Sequence, residues 1–400
     1  TGQSLKAGDK VYYNNMDKSL ALFLIGSESI ESGMRIIGSH VDSPRLDLKP
    51  NPLYEDSELS LMETHYYGGV KKYQWVTIPL ALHGVVVKKD GTKIDVVVGE
   101  EETDPVVMVS DLLVHLASEQ QQKKATEVIA GEDLNILVGS MPLEGEEKEA
   151  VKANILKLLK EKYDFEEEDF MSAEIEIVPA GKARDLGLDR SMVAGYGHDD
   201  RICAYTSLLA LLETESVKKT SVVLLVDKEE VGSIGATGMQ SRFFENAVAE
   251  LMDRVGEYSE LKLRRALANS KMLSSDVTAA FDPNYAGAYE KKNSAFFGKG
   301  LAFAKYTGAR GKSGCNDANA EFVAWLRNVM DESDVSYQMA ELGKVDQGGG
   351  GTIAYILAEY GMEVIDCGVA LQNMHAPWEV ASKVDIYETM RGYKAFLIAE

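Results

Sequence analysis

The sequence predicts an α/β protein in which a mainly parallel-centred sheet, flanked by helices, is interrupted by an inserted β-rich domain. From about Ser191 to the C-terminus, short β-branched runs alternate with longer helical stretches, which is typical of βα units around a parallel sheet. The segment before it, from about residue 46 to 190, breaks this alternation. The 400 residues also exceed the roughly 250 to 300 at which a single core stops growing, so two domains are expected.

The first elements place the insertion. MRIIGSHVD (residues 34–42) has the pattern of an α/β strand that ends in a Gly-Ser-His turn. HGVVVKKDGTKIDVVVGE then gives two β-rich runs joined by Asp90-Gly91, a hairpin signal because both turn positions favour positive φ. We therefore predict that residues 1–45 and 191–400 form one discontinuous α/β domain around an inserted domain of residues 46–190. The acidic stretch near residues 144–169 is expected to be the solvated surroundings of a helix, AVKANILKLLKEKY.

Later elements follow the βα alternation. SVVLLV (Ser221–Val226) is a predicted buried strand, preceded by the helical RICAYTSLLALLE. KMLSS (Lys271–Ser275) and EVIDCGVA (Glu363–Ala370) are further predicted strands. AEFVAWLRNVMDE and GTIAYILAEY are the helices expected between them.

Composition excludes several classes of protein. A net charge of −22 would repel a phosphate backbone, so nucleic acid is not an expected partner. No apolar run approaches the ~18 to 20 residues needed to cross a bilayer, so no membrane association is expected. The three cysteines are far apart, and the first ten residues contain no apolar signal core, so a reducing, cytoplasmic location is expected.

Charged residues and histidines stand where the predicted strands end. Ligands of open α/β sheets bind beyond the carboxyl ends of the strands, so polar residues at these ends converge on one crevice. The residues placed in this way are His40, Asp42, Asp199, Glu229, Glu230, Asp276 and His375. Each one alone would more often be an ordinary cap or turn residue, but their joint placement predicts a site.

Such a cluster of carboxylates and imidazoles predicts two divalent metal ions. Closely packed carboxylates repel one another and would take up protons unless cations neutralise them. Mixed His and carboxylate ligands without thiolate fit catalytic zinc, with cobalt or manganese as alternatives. Two-metal hydrolases share a bridging carboxylate, and Asp199 is the candidate bridge.

Other chemistries have weaker signals. GARGKSG (residues 308–314) lacks the first glycine of a P-loop, because Tyr306 stands at that position. The glycines of VGSIGATG do not have dinucleotide-binding spacing; they are expected to let a helix begin close to the metal site. No G-x-S-x-G nucleophile motif is present.

At these residues the sequence resembles the aspartyl aminopeptidase family of dinuclear zinc metallo-aminopeptidases, in its bacterial branch. The matching stretches, in the family's order, are GSHVDSPRLDLKP, YYGGVKKYQW, HDDR, DKEEVGSIGATG, SSDVTAAFDPNY, GGGGTIA and NMHAPWE. The resemblance implies that one metal is held by His40, Asp199 and Asp276. It implies that the other is held by Asp199, Glu230 and His375.

The resemblance also implies the catalytic and substrate-binding residues. Glu229 matches the general base, and Asp42 matches the carboxylate that orients the imidazole of His40. His115, Lys305, Asp346 and Gly349 are the implied substrate-binding residues. Asp200 and His198 are not expected to bind metal. One departure is Ala279, where eukaryotic members have a histidine, and it bears on whether N-terminal Asp or Glu is preferred.

The family further implies that the inserted domain dimerises and that dimers assemble into a homo-oligomer, a dodecamer that admits only peptides. The expected function is therefore metal-dependent removal of N-terminal residues from peptide substrates, with N-terminal Asp and Glu as the candidate preferred residues. Two alternatives remain: a two-metal exopeptidase of broad or neutral specificity or a deacylase, and a non-catalytic metal-binding assembly or cargo protein. Glu229 argues against the last, because a structural metal site needs ligands but no general base.

Overall fold

The computed structural model describes residues 4–400 and divides the chain into two compact units. The first unit consists of the stretch up to Ser43, Arg184–Met374 and Glu379–Glu400, and the second consists of Pro44–Ala183 and His375–Trp378. Residues 1–3, where the predicted catalytic domain starts, lie outside the described residues.

Strands and helices are numbered in chain order. The strands are β1 (Lys10–Asn15), β2 (Ser19–Leu24), β3 (Arg35–His40), β4 (Arg45–Asp56), β5 (Leu59–Tyr67), β6 (Leu80–Val87), β7 (Lys93–Val98), β8 (Met108–Val109), β9 (Ile136–Gly139), β10 (Ala173–Pro179), β11 (Arg184–Leu186), β12 (Met192–Gly195), β13 (Ser221–Val226), β14 (Lys271–Ser275), β15 (Thr278–Ala279), β16 (Leu301–Ala304), β17 (Tyr337–Met339), β18 (Glu363–Gly368), β19 (Ala370–Gln372) and β20 (Glu379–Ser382). The helices are α1 (Ala150–Tyr163), α2 (His198–Leu212), α3 (Phe243–Arg254), α4 (Glu260–Ala268), α5 (Ala309–Lys312), α6 (Ala320–Glu332), α7 (Ala354–Ala358) and α8 (Lys383–Ile398).

The first unit is built on an eight-stranded mixed sheet in the order β1-β2-β13-β3-β14-β18-β16-β17. Its four central strands, β13, β3, β14 and β18, run parallel to one another. β2 pairs antiparallel with β13, and β16 pairs antiparallel with β18. This confirms the predicted α/β class with a parallel centre.

Both faces of this sheet are covered, which explains the continuous apolar run of β13. Successive strand residues point to opposite faces. Val222 and Leu224 pack with residues of α3, α4 and α7. Val223 and Leu225 pack on the other face, with residues of α2, α6 and α8. A strand buried on both faces has no polar alternation, as expected for parallel sheets.

Two predicted elements of the first unit differ from the structure. The predicted strand Glu363–Ala370 is two strands, because β19 leaves the large sheet and joins a five-stranded sheet of order β11-β12-β20-β19-β15. At the break, a Cβ on Gly368 would lie 1.9 Å from the carbonyl oxygen of Asp276, so the two backbones are in close contact there. The predicted helix GTIAYILAEY shrinks to α7, five residues long.

The second unit is a seven-stranded antiparallel sheet of order β7-β6-β10-β4-β5-β9-β8. α1 covers part of it, and a Cβ on Gly139 of β9 would lie 2.6 Å from Ile155 of that helix. The predicted hairpin around Asp90-Gly91 is present as β6 and β7. Its turn differs from the prediction, because only Gly91 of the two has positive φ and the connection spans residues 88–92. No helix among residues 4–400 is long and apolar enough to cross a membrane.

Candidate metal centre

Three neighbouring parallel strands carry the candidate residues to one edge of the large sheet. His40 is the last residue of β3 and pairs in register with Val226, the last residue of β13. Asp276 directly follows β14, on the other side of β3. Since these strands are parallel, their carboxyl ends meet at one edge, where the sequence predicted a crevice.

His40 lies at the centre of this cluster and is 2% exposed. Its Nε2 lies 3.1 Å from Oδ1 of Asp199, 3.7 Å from Oδ1 of Asp276 and 4.0 Å from Oε2 of Glu229. The main-chain N–H of His40 donates to Oδ2 of the buried Asp200 (3.2 Å). One imidazole nitrogen therefore faces three carboxylates.

The turn after β13 presents Glu229 and Glu230, and Asp42 fixes its backbone. Lys228 enters the turn with φ 67°, and Gly232 leaves it with φ 96°. The main-chain N–H of Glu229 donates to Oδ1 of Asp42 (3.1 Å), and that of Glu230 donates to Oδ2 (3.2 Å). One carboxylate thus satisfies two main-chain donors, so the turn has a defined position relative to β3.

Asp42 contacts His40 as well, but mainly through its backbone. Nδ1 of His40 lies 2.9 Å from the main-chain oxygen of Asp42 and 3.4 Å from Oδ1. A carbonyl oxygen at Nδ1 keeps the proton on that nitrogen and leaves Nε2 free to bind a cation. The carboxylate of Asp42 has its shorter contacts with the Glu229–Glu230 turn.

Asp199 stands at the start of α2 and is held through its backbone. Its main-chain N–H donates to Oε2 of Glu379 (3.2 Å), and its carbonyl oxygen accepts from Oγ of Ser43 (2.7 Å). Both partners are buried, at 1% and 5% exposed respectively. The backbone of the candidate bridging residue is therefore fixed on both sides of its side chain.

The electrostatics of the cluster favour bound cations. Burial acts to lower the pKa of His40, but hydrogen bonds to Asp199, Asp276 and Asp42 outweigh it, and the pKa rises well above its ordinary value. Burial and the negative charge of Asp276 raise the pKa of Glu229 to about 9. The same two causes raise the pKa of the Asp200 carboxyl well above its usual range. These groups compete for protons because negative charge is concentrated among them.

The donor atoms also have the spacing that a metal ion requires. Three overlapping sets have donor atoms that lie within 4.8 Å of one another: His40 with Asp199 and Glu230, His40 with Glu229 and Asp276, and Asp199 with Asp200 and Asp276. Nitrogen and carboxylate oxygen donors without thiolate suit zinc in a catalytic site. The residues present therefore fit divalent metal ions.

Two predicted histidines belong to the second unit. Nδ1 of His375 lies 2.8 Å from the carbonyl oxygen of Gly69, a contact that would fix the ring and leave Nε2 as the donor for a metal. His115 is exposed in a loop whose neighbours Leu113, Val114 and Leu116 are also exposed. The metal-ligand role of His375 and the substrate-binding role of His115 stay predictions.

The other predicted substrate-binding residues lie on two loops of the first unit. Lys305 follows β16, which runs antiparallel to β18, so the register carries Lys305 toward the start of β18 rather than its end. Its Nζ lies 3.6 Å from Oδ1 of Asp317. Asp346 is exposed with φ 71°, and Gly349 has φ 128°. A Cβ on Gly349 would lie 2.6 Å from the main-chain nitrogen of Ala309, so this position requires glycine.

Sequence reasoning missed or understated several residues around the cluster. Asp200, which was not expected to bind metal, has a carboxylate oxygen in one of the three donor sets. Glu379 supports Asp199, and the signal for it was present, because it ends the quoted NMHAPWE stretch. The glycines of VGSIGATG were expected to let a helix begin close to the metal site, and this prediction is wrong. A short 3₁₀ turn (Glu229–Val231) ends where these glycines begin, and the next helix, α3, begins only at Phe243.

Comparisons with known proteins show the family to which this chain belongs. The family model described as aminopeptidase I zinc metalloprotease (M18) matches residues 2–397. A probable M18 family aminopeptidase 1 of Clostridium acetobutylicum is 70% identical over 397 residues, covering 99% of this chain and 85% of the relative. The crystal structure of aminopeptidase I from the same organism superposes with a TM-score of 0.94, at 70% identity, over 98% of this chain and 85% of that one. The S. cerevisiae mApe1 dodecamer shares the fold, with a TM-score of 0.77, at 21% identity, over 97% of this chain and 85% of that one. The resemblance found in the sequence is thereby confirmed: this chain belongs to the M18 family of zinc metalloproteases and is an aminopeptidase.

Proposed function

We propose that this aminopeptidase hydrolyses the first peptide bond of peptides with two divalent metal ions held at the carboxyl edge of its large sheet. His40, Asp199 and Asp276 would hold one ion, and Asp199, Glu230 and His375 would hold the other. The observation that carries the proposal is the buried imidazole of His40, with Asp199, Asp276 and Glu229 all within 4.0 Å of its Nε2. When bound, such ions polarise the scissile carbonyl and lower the pKa of a water molecule toward neutrality.

Glu229 would act as the general base. It must be ionised to accept a proton, yet burial and the charge of Asp276 raise its pKa to about 9. Neutralising Asp276 with a cation removes the second cause, so the carboxylate form of Glu229 becomes accessible near neutral pH. Glu229 can then take a proton from the attacking water and return it to the leaving amine, a role that typically contributes ~10² to 10⁴-fold in rate.

Substrate binding would involve the glycine loop, Gly348–Gly351. Gly348 and Gly349 are needed for packing, because a Cβ there would lie 1.6 Å from the Leu342 carbonyl and 2.6 Å from Ala309. Gly350 and Gly351 differ: neither has positive φ, and a Cβ on either would meet nothing within 4 Å. Glycine loses more conformational entropy on folding than other residues do. The fold itself does not require glycine at these two positions. Space for the main chain of a peptide explains why no side chain is present.

A preference for N-terminal Asp or Glu would require a cation near the substrate, and Lys305 is the candidate. Its partner Asp317 is shared, because Nζ of Lys312 lies closer (2.7 Å) than that of Lys305 (3.6 Å). A half-exposed lysine with a weak partner could exchange it for a substrate carboxylate. However, the direction of β16 does not carry Lys305 to the ends of β3 and β14, so the acidic preference rests on the family resemblance more than on geometry.

A panel of aminoacyl-p-nitroanilides tests activity and specificity together. We expect hydrolysis that a chelator abolishes and added Zn²⁺, Co²⁺ or Mn²⁺ restores. Lys305→Met should lower kcat/KM for Asp and Glu substrates by about tenfold or more while sparing Leu and Ala substrates. A wild type that prefers Leu or Ala would identify a broad or neutral exopeptidase, and one that cleaves only acylated amino acids would identify a deacylase.

We further propose that the second unit joins copies of this chain into a homo-oligomer. Its exposed loop presents Leu112, Leu113, Val114 and Leu116, which are 46–66% exposed, around His115. A contiguous apolar segment of this kind is typical of a protein interface. The dodecamer of the S. cerevisiae relative makes a second copy of the chain the expected partner. Light scattering should report a multimer that Val114→Glu weakens, whereas a monomeric wild type would contradict the proposal.

A further inference from the structure

One of the buried carboxyls outside the proposed mechanism contacts the segment next to the glycine loop. Asp366, on the central strand β18, is 3% exposed and lies two residues before the strand ends at Gly368. Burying a carboxyl costs free energy unless hydrogen bonds compensate, so a buried aspartate needs an explanation. Its partners point to the glycine loop.

Oδ1 of Asp366 accepts a hydrogen bond from Oγ1 of Thr352 (2.6 Å), the residue directly after the glycine loop. The same Thr352 hydroxyl accepts from the main-chain N–H of Ala354 (3.2 Å), the first residue of α7. This chain of two bonds ties the end of the loop and the start of α7 to the central sheet. It also explains why α7 begins at Ala354 and not at Gly351.

The tie lies directly beneath the candidate metal centre. Asp366 pairs in register with Ser274, two residues before Asp276. Ile353, next to Thr352, packs over Gly38, two residues before His40, since a Cβ on Gly38 would lie 2.9 Å from its Cδ1. The end of the loop is therefore fixed against strand positions that lie two residues before His40 and Asp276, which would hold metal.

Little else holds this part of the loop. The N–H of Gly350 donates to the carbonyl oxygen of Thr307 (3.0 Å), and that of Gly348 donates to the carbonyl oxygen of Lys344 (2.8 Å). Gly350 and Gly351 carry no side chain to pack. The position of the open half of the loop then depends on its anchored end.

We infer that Asp366 is a positioning residue that, through Thr352, holds the glycine loop in place for substrate. The inference rests on the proposed function of that loop in substrate binding. Asp366 touches no substrate itself, and its effect passes through the Thr352 hydroxyl and the loop backbone.

The geometry allows the carboxyl to act in its neutral form. Oδ2 of Asp366 and Oγ of Ser274 both lack a hydrogen bond of good geometry among residues 4–400, although the two residues are register partners. A protonated Oδ2 can donate to Oγ of Ser274 while Oδ1 accepts from Thr352, which satisfies all three groups. Burial raises the pKa of Asp366 to about 7, although its contacts with Thr352 and Ser274 act to lower it.

Thr352→Val and Asp366→Leu test the anchor in the metal-loaded enzyme. Both remove the bond between Oδ1 and the hydroxyl, so we expect the amides of Gly348 and Gly350 to exchange hydrogen about tenfold faster than in the wild type. KM should rise about tenfold while kcat stays within about twofold, because the loop positions substrate and does not take part in the chemistry. Thr352→Val keeps the shape of the side chain, so the test stands even if Asp366→Leu fails to fold.

Asp366→Asn is the conservative rescue and Thr214→Val is the matched control. An amide can accept from Thr352 and donate to Ser274, so Asp366→Asn should keep wild-type exchange and KM. Thr214 is a buried threonine just after α2 whose hydroxyl donates to the carbonyl oxygen of Ala210 in that helix, so its valine variant should leave the loop unchanged. If the amides of Gly348 and Gly350 exchange as slowly in both Thr352→Val and Asp366→Leu as they do in the wild type, the inference is overturned. Because exchange is read without substrate, it separates failure of the anchor from failure of the proposed aminopeptidase mechanism.

Discussion

The cluster around His40 and the glycine loop both lie in the first unit but are held in place in different ways. At the centre, side chains hold backbone from several elements: Asp42 fixes the Glu229–Glu230 turn, and Glu379 fixes Asp199. The loop has no side chains of its own and depends on main-chain bonds and on one carboxyl beneath it. In the proposed function, fixed charges are held by hydrogen-bonded side chains and backbone around His40, whereas contact with a variable peptide is left to the backbone of the loop.

The largest expected effect falls on the bridging residue. Asp199→Asn should leave at least one metal site empty and abolish activity, because a neutral amide bridges two cations poorly. Elemental analysis of the purified variant beside the wild type measures the loss. Full occupancy in Asp199→Asn would move the bridge to another carboxylate, and Asp200 would be the next candidate.

A smaller loss is expected where a carboxylate only supports the centre. In Asp42→Asn, the amide can accept from one of the two main-chain donors but opposes the other with its own N–H groups. We expect a decrease of about 10 to 100-fold in metal affinity or kcat, as for other residues that orient metal ligands. Asp253→Asn, on the exposed face of α3, is the control. Unchanged metal affinity and kcat in Asp42→Asn would show that the turn needs no such support.

The loop should respond to substitution in the opposite sense, with binding lost and stability kept. Gly350→Ala meets no atom within 4 Å and has an ordinary backbone conformation, so the free energy of unfolding should stay equal or rise by about 0.4 to 1 kcal/mol. KM should nevertheless rise several-fold if a peptide occupies that space. An unchanged KM would show that the substrate main chain lies elsewhere.

A further prediction concerns the pH dependence of stability. Asp366 has a folded pKa of about 7 against an ordinary value of 3.8, so between these pH values the native state holds a proton that the unfolded state has released. The free energy of unfolding of the wild type should therefore fall relative to Asp366→Asn as pH rises from 4 to 7, by at most about 4 kcal/mol. Urea unfolding of both proteins at pH 5 and pH 8 measures this difference, and equal differences at the two pH values would contradict the neutral buried acid.

The comparison also separates what could be predicted from sequence and what could not. The strands Ser221–Val226 and Lys271–Ser275 were predicted with their observed bounds, because each is a short run with apolar residues at its centre that is followed by a charged residue. The polar residues after those strands were predicted to converge, and His40, Asp199, Glu229 and Asp276 do lie together. Local pattern and the parallel arrangement are sufficient for this part of the site.

Features that depend on which strands become neighbours were not predictable. Asp366 reads as an ordinary strand residue until β18 pairs with β14 and Thr352 reaches it. The antiparallel direction of β16, the strand that ends just before Lys305, was not predictable either, because periodicity does not reveal it, and the substrate-binding role of Lys305 stays a prediction. The turn at Asp90-Gly91 differed because the five residues 88–92 connect the strands, and only Gly91 needs positive φ.

Metal content measured together with turnover in Glu229→Gln tests the proposed two-metal centre with Glu229 as its base. We expect two metal ions per chain in both wild type and variant, with kcat lower by about 10² to 10⁴-fold in the variant. Glu250→Gln, on the exposed surface of α3, should keep both metal and activity. Near-native turnover in a fully loaded Glu229→Gln enzyme would show that Glu229 is not the base.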